Sequence, residues 1–525
     1  MSTTTAPTAP TEPPSRITQA IRRLNRAMDG QPGLDYLMLR ITVFLLTGIG
    51  LVMVMSSSMT WSIIEGATVW STALRQGSMV AAGLLMFWVC LKIPPQTVRK
   101  WATGILLVAV VLLIAVLIPG IGTGREEVGS QSWIVLGPLR LQPSEFAKVA
   151  IAIFGSHFLA NRRVESSGLR SPYTVFTGIA IALMLLIMAE GDLGMAISFA
   201  IVVLFVLLFA GVSHRWIVAA LAFGFIGMAA VLAVGGFRSH RFHVYFDALF
   251  GHFDDTRGTA FQSYQGFLSL ADGSVGGVGL GQSRAKWFYL PEARNDFIFA
   301  IIGEELGLWG GVVVIALFGV LGFFGFRTAL RARDNYQSLL AATLTAGIVS
   351  QAFINIGYVV GLLPVTGIQL PMISAGGTSA IITLTSMGLL ANVARHEPEA
   401  VSAVKSYGRP MFDRLLLIAE PDADEHPENS RRPQGVRRGS TEEERQARFG
   451  QPVTGRPRRS AQAERPAGQP PKRPARPVAG TGAPVDSPRP RRDYDSVPTR
   501  NPRPRGSASG GQPRASRQPR TRRSK

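Results

Sequence analysis

The sequence predicts an all-α, polytopic membrane protein. Several apolar runs reach the ~18–20 residues that a helix needs to cross a bilayer. The mean hydropathy of +0.21 is high for a soluble protein, and charged residues make up only 17% of the 525 residues. Counting the runs predicts about ten transmembrane helices. The clear runs are Leu39–Met55, Trp101–Pro119, Tyr173–Met188, Leu193–Val212, Trp216–Val234 and Gly310–Phe326, and the weaker runs are Met79–Ile93, Phe146–Ala160, Phe297–Ile302, Leu339–Leu363 and Ile381–Val393.

Basic residues in the short loops orient these spans. Lys and Arg are frequent in the loops that follow every second span, beginning with Lys92, Arg99 and Lys100, and sparse in the loops between. By the positive-inside rule, both termini lie in the cytoplasm and one large extracytoplasmic loop covers about residues 235–296. We expect three parts, a largely disordered N-terminal segment (1–34), a transmembrane domain (35–396) and a disordered basic cytoplasmic tail (397–525).

Features near the N-terminus bear on membrane insertion. Ile17–Met28 mixes basic and apolar residues, as in an amphipathic helix on the membrane surface, and an ordinary basic flank of the first span fits equally well. The first apolar run starts late and has no small-residue cleavage site after it, so we expect that run itself to direct insertion. Cys90 is the only cysteine, which excludes an intrachain disulfide.

The C-terminal tail carries most of the charge. Residues 429–525 contain 25 Lys and Arg against 7 Asp and Glu, so they contribute +18 of the formal net charge of +20. Such a segment favours anionic partners, and anionic lipid attracts it by up to ~1 kcal/mol per basic residue. A solvated tail without a partner is the alternative. Within residues 429–525 the only aromatic residues are Phe449 and Tyr494, which argues against sequence-specific nucleic acid binding.

Three carboxylates mark the first candidate site. Asp296 stands where a polar loop becomes an apolar helix, and Glu304 and Glu305 follow inside the apolar run. An ionised acid at such depth in a membrane costs several kcal/mol unless it is paired with another group or hydrated. Such residues therefore indicate a functional site by default. Asp296 could be the N-cap of the helix, a general base or both. Glu292 is either a second carboxylate of the site or a solvated loop acid.

A second motif runs from Ser132 to Lys148. Gln-Pro-Ser-Glu predicts the start of a helix with Ser144 as N-cap, and Glu145 and Lys148 are spaced i,i+3 on one face. Lys148 could snorkel to the interface, or face inward to pair with Glu304, Glu305 or a phosphate. Trp133 fits either an interfacial anchor or a surface for a sugar or lipid.

Gly and Pro are dense in a third segment, residues 361–379, which contains Pro371, Ser374, Gly376 and Gly377. This density predicts a broken span, which is tolerated only where it lines protein or water, and close packing of small residues is the alternative. In the turn Glu190–Gly194, Asp192 is interpreted as a helix cap rather than a cavity wall.

The large loop supplies cations for an anionic ligand. Arg and Lys near a membrane surface suit phosphate or pyrophosphate, and headgroup contact is the plainer interpretation. The loop cations are Arg238, Arg241, Arg257, Arg284, Lys286 and Arg294. The His and Asp residues of this loop match no strong metal-binding spacing.

These motifs closely resemble those of the SEDS family (shape, elongation, division and sporulation) over roughly Asp35–His396. The resemblance implies a peptidoglycan glycosyltransferase that polymerises lipid II at the outer face of the cytoplasmic membrane, with Asp296 as the catalytic residue. The candidate substrate-binding residues are Trp133, Glu145, Lys148, Arg238, Arg241, Lys286, Glu292, Ser374, Gly376 and Gly377, and the structural or cavity residues are Asp192, Glu304, Glu305 and Pro371.

The resemblance also implies partners and a cellular role. Leu-Pro-Glu-Ala before Arg294 is closer to division-type than to elongation-type members, which implies septal cell-wall synthesis. A class B penicillin-binding protein would supply the transpeptidase, alongside other division proteins, and an acidic cytoplasmic division protein would suit the basic tail. A divalent cation, Mg²⁺ or Mn²⁺, is the one cofactor that the resemblance leaves open.

Some positions depart from the family pattern. Many members have Arg where this chain has Ser132, Lys near Val365 and Thr366, and Pro where it has Gly191. The first difference weakens a phosphate-binding role at position 132, and the second puts one cationic contact near 365–366 in doubt. Two other functions stay open. A lipid II flippase or transporter would place its site near the membrane midplane, and a division-site scaffold would act through its tail.

Overall fold

The computed structural model describes residues 28, 30–64, 66, 68, 70–125, 129–137, 139–161, 171–212, 217–218, 222, 245, 261–286, 290 and 293–421. Within these ranges, seven helices are long and apolar enough to cross a membrane, and an eighth apolar helix of 17 residues, Leu193–Phe209, is shorter. The predicted all-α polytopic class is confirmed. The total of about ten stays a prediction, because most of the predicted span Trp216–Val234 and most of the large loop lie outside the described residues.

The predicted apolar runs coincide with helices wherever the chain is described. The helices are α1 (Leu34–Ile64), α2 (Ser71–Lys92), α3 (Pro95–Leu117), α4 (Pro143–Leu159), α5 (Pro172–Ala189), α6 (Leu193–Phe209), α7 (Phe261–Gly273), α8 (Ile298–Arg331), α9 (Asn335–Val359), α10 (Gly377–Arg395), α11 (Pro398–Tyr407) and α12 (Met411–Leu415). Residues 17–27 of the predicted amphipathic segment lie outside the described part.

Small residues place α10 at the centre of the bundle. Its apolar window is 78% buried and that of α9 is 61% buried, against 22–33% for α2, α3, α5 and α8. A Cβ on Gly388 would meet the Phe87 carbonyl at 2.8 Å, and one on Gly83 would meet Leu384 at 2.6 Å. Close approach of this kind through small residues is how helices associate in lipid. The outer helices expose Leu107 and similar side chains to the bilayer, as expected for a lipid-facing surface.

Gly307 joins two predicted runs into one kinked helix. The runs Phe297–Ile302 and Gly310–Phe326 are both part of α8, and Gly307 lies between them with φ 67° and ψ −165°. The loop after α7 packs into the kink. Val278 N–H donates to the Glu304 carbonyl at 2.9 Å and Gly279 N–H to the Glu305 carbonyl at 3.1 Å. The kink therefore leaves these two carbonyls satisfied, as a membrane interior requires.

A small antiparallel sheet precedes α4. Its strands are β1 (Gly122–Thr123), β2 (Trp133–Leu136) and β3 (Leu139–Leu141), in that spatial order. Ile134 pairs with Gly122 on one side and with Leu141 on the other. The segment is the loop between two predicted spans, and the sequence predicted no strand in it. The sheet ties that loop directly to the start of α4.

The predicted disordered tail begins too early. Residues 397–421 are ordered and include α11 and α12. Asp413 explains the order, because this buried carboxylate binds Arg395 at 2.8 Å and accepts a hydrogen bond from the Tyr36 hydroxyl at 2.8 Å. Composition and net charge do not reveal such pairings, because the pairings form only when the segment packs against the helices. The tail beyond residue 421 lies outside the described part.

Candidate functional site

The sequence motifs meet at one end of the helix bundle, called the motif end below. Helices α4, α6, α8 and α10 begin there, and α3, α5 and α9 finish there. Hydrogen bonds between the connecting segments hold them together. Gln131 N–H donates to the Glu190 carbonyl at 2.8 Å, Gln142 donates to Asp192 at 3.1 Å, and the Thr378 hydroxyl donates to the Arg140 carbonyl at 2.7 Å. The motif end is therefore one polar surface built from distant parts of the chain.

The main chain around Asp296 is held by three successive carbonyls. The Arg294 carbonyl accepts from Ala375 N–H at 2.9 Å, and the Asn295 carbonyl accepts from the Ser374 hydroxyl at 2.6 Å. The Asp296 carbonyl accepts from the Asn355 amide and from the Tyr358 hydroxyl, both at 2.9 Å. These bonds use no side-chain atom of residues 294–296. The half-buried Asp296 side chain is thus carried on a fixed backbone.

Asp296 is not the N-cap of α8. The helix begins at Ile298 and Phe297 occupies the N-cap position, without a side-chain cap hydrogen bond. The capping interpretation of Asp296 is therefore wrong, because the chain enters the helix one residue later. Helix capping therefore does not explain the acid at this position.

The broken span between α9 and α10 is hydrogen-bonded to the same side chains that hold the Asp296 main chain. Asn355 and Tyr358 donate to the Ile368 carbonyl as well, at 2.7 and 2.8 Å. Leu370 N–H donates to the Ser374 hydroxyl at 2.8 Å, so Ser374 links the two loops. Tyr358 was missed by the sequence reasoning, although its i,i+3 spacing from Asn355 places both side chains on one helix face.

The Gly and Pro residues of this segment allow its tight path. A Cβ on Gly376 would collide with the Gln369 side chain, whereas Gly377 is the first residue of α10 and has more room. Pro371, earlier in the same segment, is buried. The predicted break in the helix is confirmed, and it is lined by protein, as an irregular backbone at this depth requires.

Lys148 faces the interior of the bundle. Its ammonium lies 3.0 Å from Glu145, 2.9 Å from the Gln351 side-chain oxygen and 3.3 Å from the Ser198 hydroxyl. The inward interpretation is confirmed, but the partner carboxylate is Glu145 of the same helix. Glu304 and Glu305 are the wrong partners, because both are bound elsewhere. Gln351 in turn donates to the Gln369 carbonyl at 3.0 Å, which connects Lys148 to the broken span.

Replacing Lys148 with methionine should destabilise the fold. The buried Glu145 carboxylate would lose its counterion, at a cost of ~1–3 kcal/mol for an unsatisfied buried group. Thermal unfolding in detergent, followed by size-exclusion chromatography, measures the change. Lys148→Arg should recover part of the loss.

A double variant is the matched control for this prediction. Glu145→Gln combined with Lys148→Met removes both charges, so it should be less destabilised than the sum of the two single changes. Additive losses would show that the Glu145–Lys148 pair contributes no coupling energy.

Glu304 and Glu305 hold the loop that follows α7. Glu304 accepts from the Ser283 hydroxyl at 2.7 Å and from Arg284 N–H at 2.6 Å. Glu305 accepts from the Ser56 hydroxyl at 2.7 and 2.8 Å. Both carboxylates therefore have structural hydrogen-bond partners, and the cavity role assigned to them stays a prediction.

Lys286 is not an exposed loop cation. Its side chain is buried, lies 3.5 Å from Glu305 and donates to the Gly281 carbonyl. The ammonium therefore already has an internal counterion, and the substrate-binding role of Lys286 stays a prediction. Sequence spacing could not reveal the pairing, since Lys286 lies in the loop after α7 and Glu305 lies in α8.

Asp192 caps α6, as predicted. Its carboxylate accepts from Met195 N–H at 3.0 Å. The neighbouring Glu190 is buried, and this burial, with the Asp192 charge as a second cause, raises the pKa of Glu190 to about 9. Glu190 is therefore neutral at pH 7, which removes the cost of burying its charge. The predicted cap Ser144 is wrong, because α4 begins at Pro143 with Gln142 as N-cap.

Trp133 lies in β2 at the motif end, where it is half-buried. The other predicted ligands of the substrate, Arg238, Arg241 and Glu292, lie outside the described residues. Among the residues that the structure describes, no group of three or more His, Cys, Asp or Glu side chains is placed to hold a metal ion. The divalent cation therefore stays a prediction.

The chain is similar in sequence to known bacterial proteins. The chain is 42% identical over 394 residues, 75% of its length, to the probable peptidoglycan glycosyltransferase FtsW of Mycobacterium tuberculosis, and covers 74% of that protein. It is 38% identical over 365 residues, 69% of its length, to the stage V sporulation protein E of Bacillus subtilis, and covers 97% of that protein.

Solved structures share the fold. A chain from a peptidoglycan synthase complex matches with a TM-score of 0.56 and 23% identity, covering 69% of this chain and 97% of that one. The rod shape determining protein RodA of Thermus thermophilus matches with a TM-score of 0.50 and 23% identity, covering 69% of this chain and 96% of that one.

The family model for the cell cycle proteins FtsW, RodA and SpoVE matches residues 36–399. The resemblance to the SEDS family inferred from the sequence motifs is thereby confirmed, and the match covers all the helices from α2 to α10. The chain belongs to the FtsW/RodA/SpoVE family of cell cycle proteins.

Proposed function

We propose that this protein is a peptidoglycan glycosyltransferase that polymerises lipid II during septal cell-wall synthesis. Relatives named peptidoglycan glycosyltransferase FtsW support the activity and the division role. The observation that carries the proposal for the site is the fixing of residues 294–296 through their carbonyls, which presents the Asp296 side chain on a preorganised backbone. Preorganisation of this kind is what a catalytic group needs.

The reaction assigns Asp296 the role of general base. The C4 hydroxyl of one saccharide attacks the anomeric carbon of another, a glycosidic bond forms, and the bond to the polyprenyl pyrophosphate breaks. Asp296 takes the hydroxyl proton, and the pyrophosphate leaves with the bonding electron pair. Arg238 and Arg241 are the candidates to offset the leaving group's charge, since Lys148 and Lys286 are engaged inside the protein.

The proposed orientation places the motif end outside the cytoplasmic membrane and both chain termini in the cytoplasm. The positive-inside count supports this orientation. A class B penicillin-binding protein is the proposed partner that cross-links the glycan, and the septum is the proposed location. Lipid II would reach Asp296 at the membrane surface with its polyprenyl tail still in the bilayer.

The position of the polar groups favours this activity over transport. Asp296 precedes α8 by two residues. A transporter for lipid II would have its binding groups near the midplane.

Polymerisation of fluorescent lipid II by the purified protein, together with a class B penicillin-binding protein, tests the proposal. We expect a ladder of glycan products on a denaturing gel. A parallel assay follows transfer of lipid II between the leaflets of vesicles. Transfer without polymer would overturn the glycosyltransferase assignment and support transport.

A further inference from the structure

The ordered segment after α10 bears an apolar surface that has no protein partner among the described residues. Four large side chains on residues 407–417 point away from the bundle. The exposed fractions are 90% for Tyr407, 84% for Met411, 75% for Leu415 and 77% for Leu417. An exposed apolar cluster of this kind marks an interaction surface. We call these four residues the 407–417 patch.

The opposite side of the same segment is firmly seated on α1 and α2. The Phe412 ring lies 6.2 Å from the Phe44 ring, and the Arg40 guanidinium stacks on Phe412 at 4.0 Å. Trp88 donates to the Leu416 carbonyl at 2.9 Å. The patch is therefore held in place, because the docked side fixes which side faces outward.

These contacts also give the depth of the segment relative to the bilayer. Phe44 is the eleventh residue of α1 and is 39% exposed on the lipid-facing surface of that span. Trp88 and Lys92 lie in the last turns of α2, with the ammonium 3.9 Å from the indole centroid. Trp and Lys at the end of a span mark the interface between acyl chains and headgroups. Helix α12 thus lies beside the ends of the spans, within the interfacial layer.

Charge on the segment fits the same location. Lys405 and Arg414 are exposed, whereas Asp413 is buried against Arg395 and Glu399 is paired with Arg331. Basic residues beside apolar ones are typical of helices that lie in the membrane interface, with the cations at the phosphates.

We propose that the 407–417 patch is inserted into the phospholipid leaflet at this end of the bundle. Tyr407, Met411, Leu415 and Leu417 contact the upper acyl chains, and Lys405 and Arg414 contact lipid phosphate. The patch continues the lipid-facing surface of α1 and α2, and the Leu416 carbonyl beside it accepts a hydrogen bond from Trp88 of α2. The chain beyond Pro421 therefore starts at the bilayer surface, and this placement does not depend on the proposed enzymatic activity.

Site-specific fluorescence in the full-length protein tests the insertion. Cys90→Ala removes the only cysteine, and Met411→Cys or Leu415→Cys then carries an environment-sensitive label in phosphatidylcholine–phosphatidylglycerol vesicles. Lipids brominated near the headgroup should reduce the emission of both labels by about twofold, as for a helix buried 5–10 Å into the interface. Aqueous iodide should have little effect on them.

Two control positions show how a label in the acyl chains and a label in water respond to the quenchers. Leu107→Cys, on the lipid-facing side of α3, should respond to lipids brominated deep in the acyl chain, and Ser402→Cys, an exposed polar position of α11, should respond to iodide. Labels at 411 and 415 that behave like the one at 402 would overturn the proposal. So would labels that neither quencher reaches, since a protein partner would then cover the patch.

Discussion

Replacing Asp296 with asparagine should abolish lipid II polymerisation while the protein still folds. The amide cannot take the proton of the attacking hydroxyl, and loss of a general base costs ~10²–10⁴-fold in rate. The fold should survive because the bonds to Asn355, Tyr358 and Ser374 use main-chain carbonyls, which the substitution keeps. The measurement is the initial rate of glycan formation by the purified protein with its penicillin-binding protein partner.

A neighbouring acid provides the matched control. Asp272 is exposed on α7, so Asp272→Asn removes one negative charge without touching the Asp296 loop and should leave the rate unchanged. Asp296→Asn protein that elutes as a monodisperse species and polymerises at close to the normal rate would refute the catalytic assignment.

Replacing Gly307 with alanine should give the largest loss of stability. Its φ of 67° lies in the region that favours glycine, and forcing another residue into such a conformation costs ~1–3 kcal/mol. The new Cβ would also collide with the Gly277 amide nitrogen and the Val275 carbonyl oxygen. Relief would require the loop to move away from the Glu304 and Glu305 carbonyls.

Expression level and apparent melting temperature, measured by fluorescence-detected size-exclusion chromatography, report the effect. Gly319→Ala is the control on the same helix, because nothing lies within 4 Å of its Cβ position and its backbone is helical. A Gly307→Ala protein as stable as Gly319→Ala would show that the kink is not needed for folding.

Local patterns in the sequence predicted a large part of this architecture. Apolar runs predicted the spans because lipid requires long apolar helices with internal hydrogen bonds. Gly and Pro density predicted the break between α9 and α10, and i,i+3 spacing predicted that Glu145 and Lys148 share a face. Each of these signals depends on residues within a few turns of one another.

Pairings between distant segments could not be predicted in this way. Lys148 binds Gln351, 203 residues away, and Ser56 binds Glu305, 249 residues away. No periodicity connects such positions, so the sequence left Lys148 with several candidate partners and assigned Lys286 to substrate phosphate rather than to Glu305. Electrostatics within the packed bundle selects the partners, because a buried charge requires whichever counterion the fold brings near.

The sequence by itself therefore determined the membrane class, most helix positions, the family and the candidate acid Asp296. Only the tertiary structure decided that Asp296 is not a helix cap and that hydrogen bonds to main-chain carbonyls hold its loop. It also decided that Lys286 is internal and that residues 397–421 are ordered. The physical reason is the range of the interactions. Hydropathy and helix geometry act along the chain, whereas hydrogen bonds and ion pairs between helices exist only after the chain has packed.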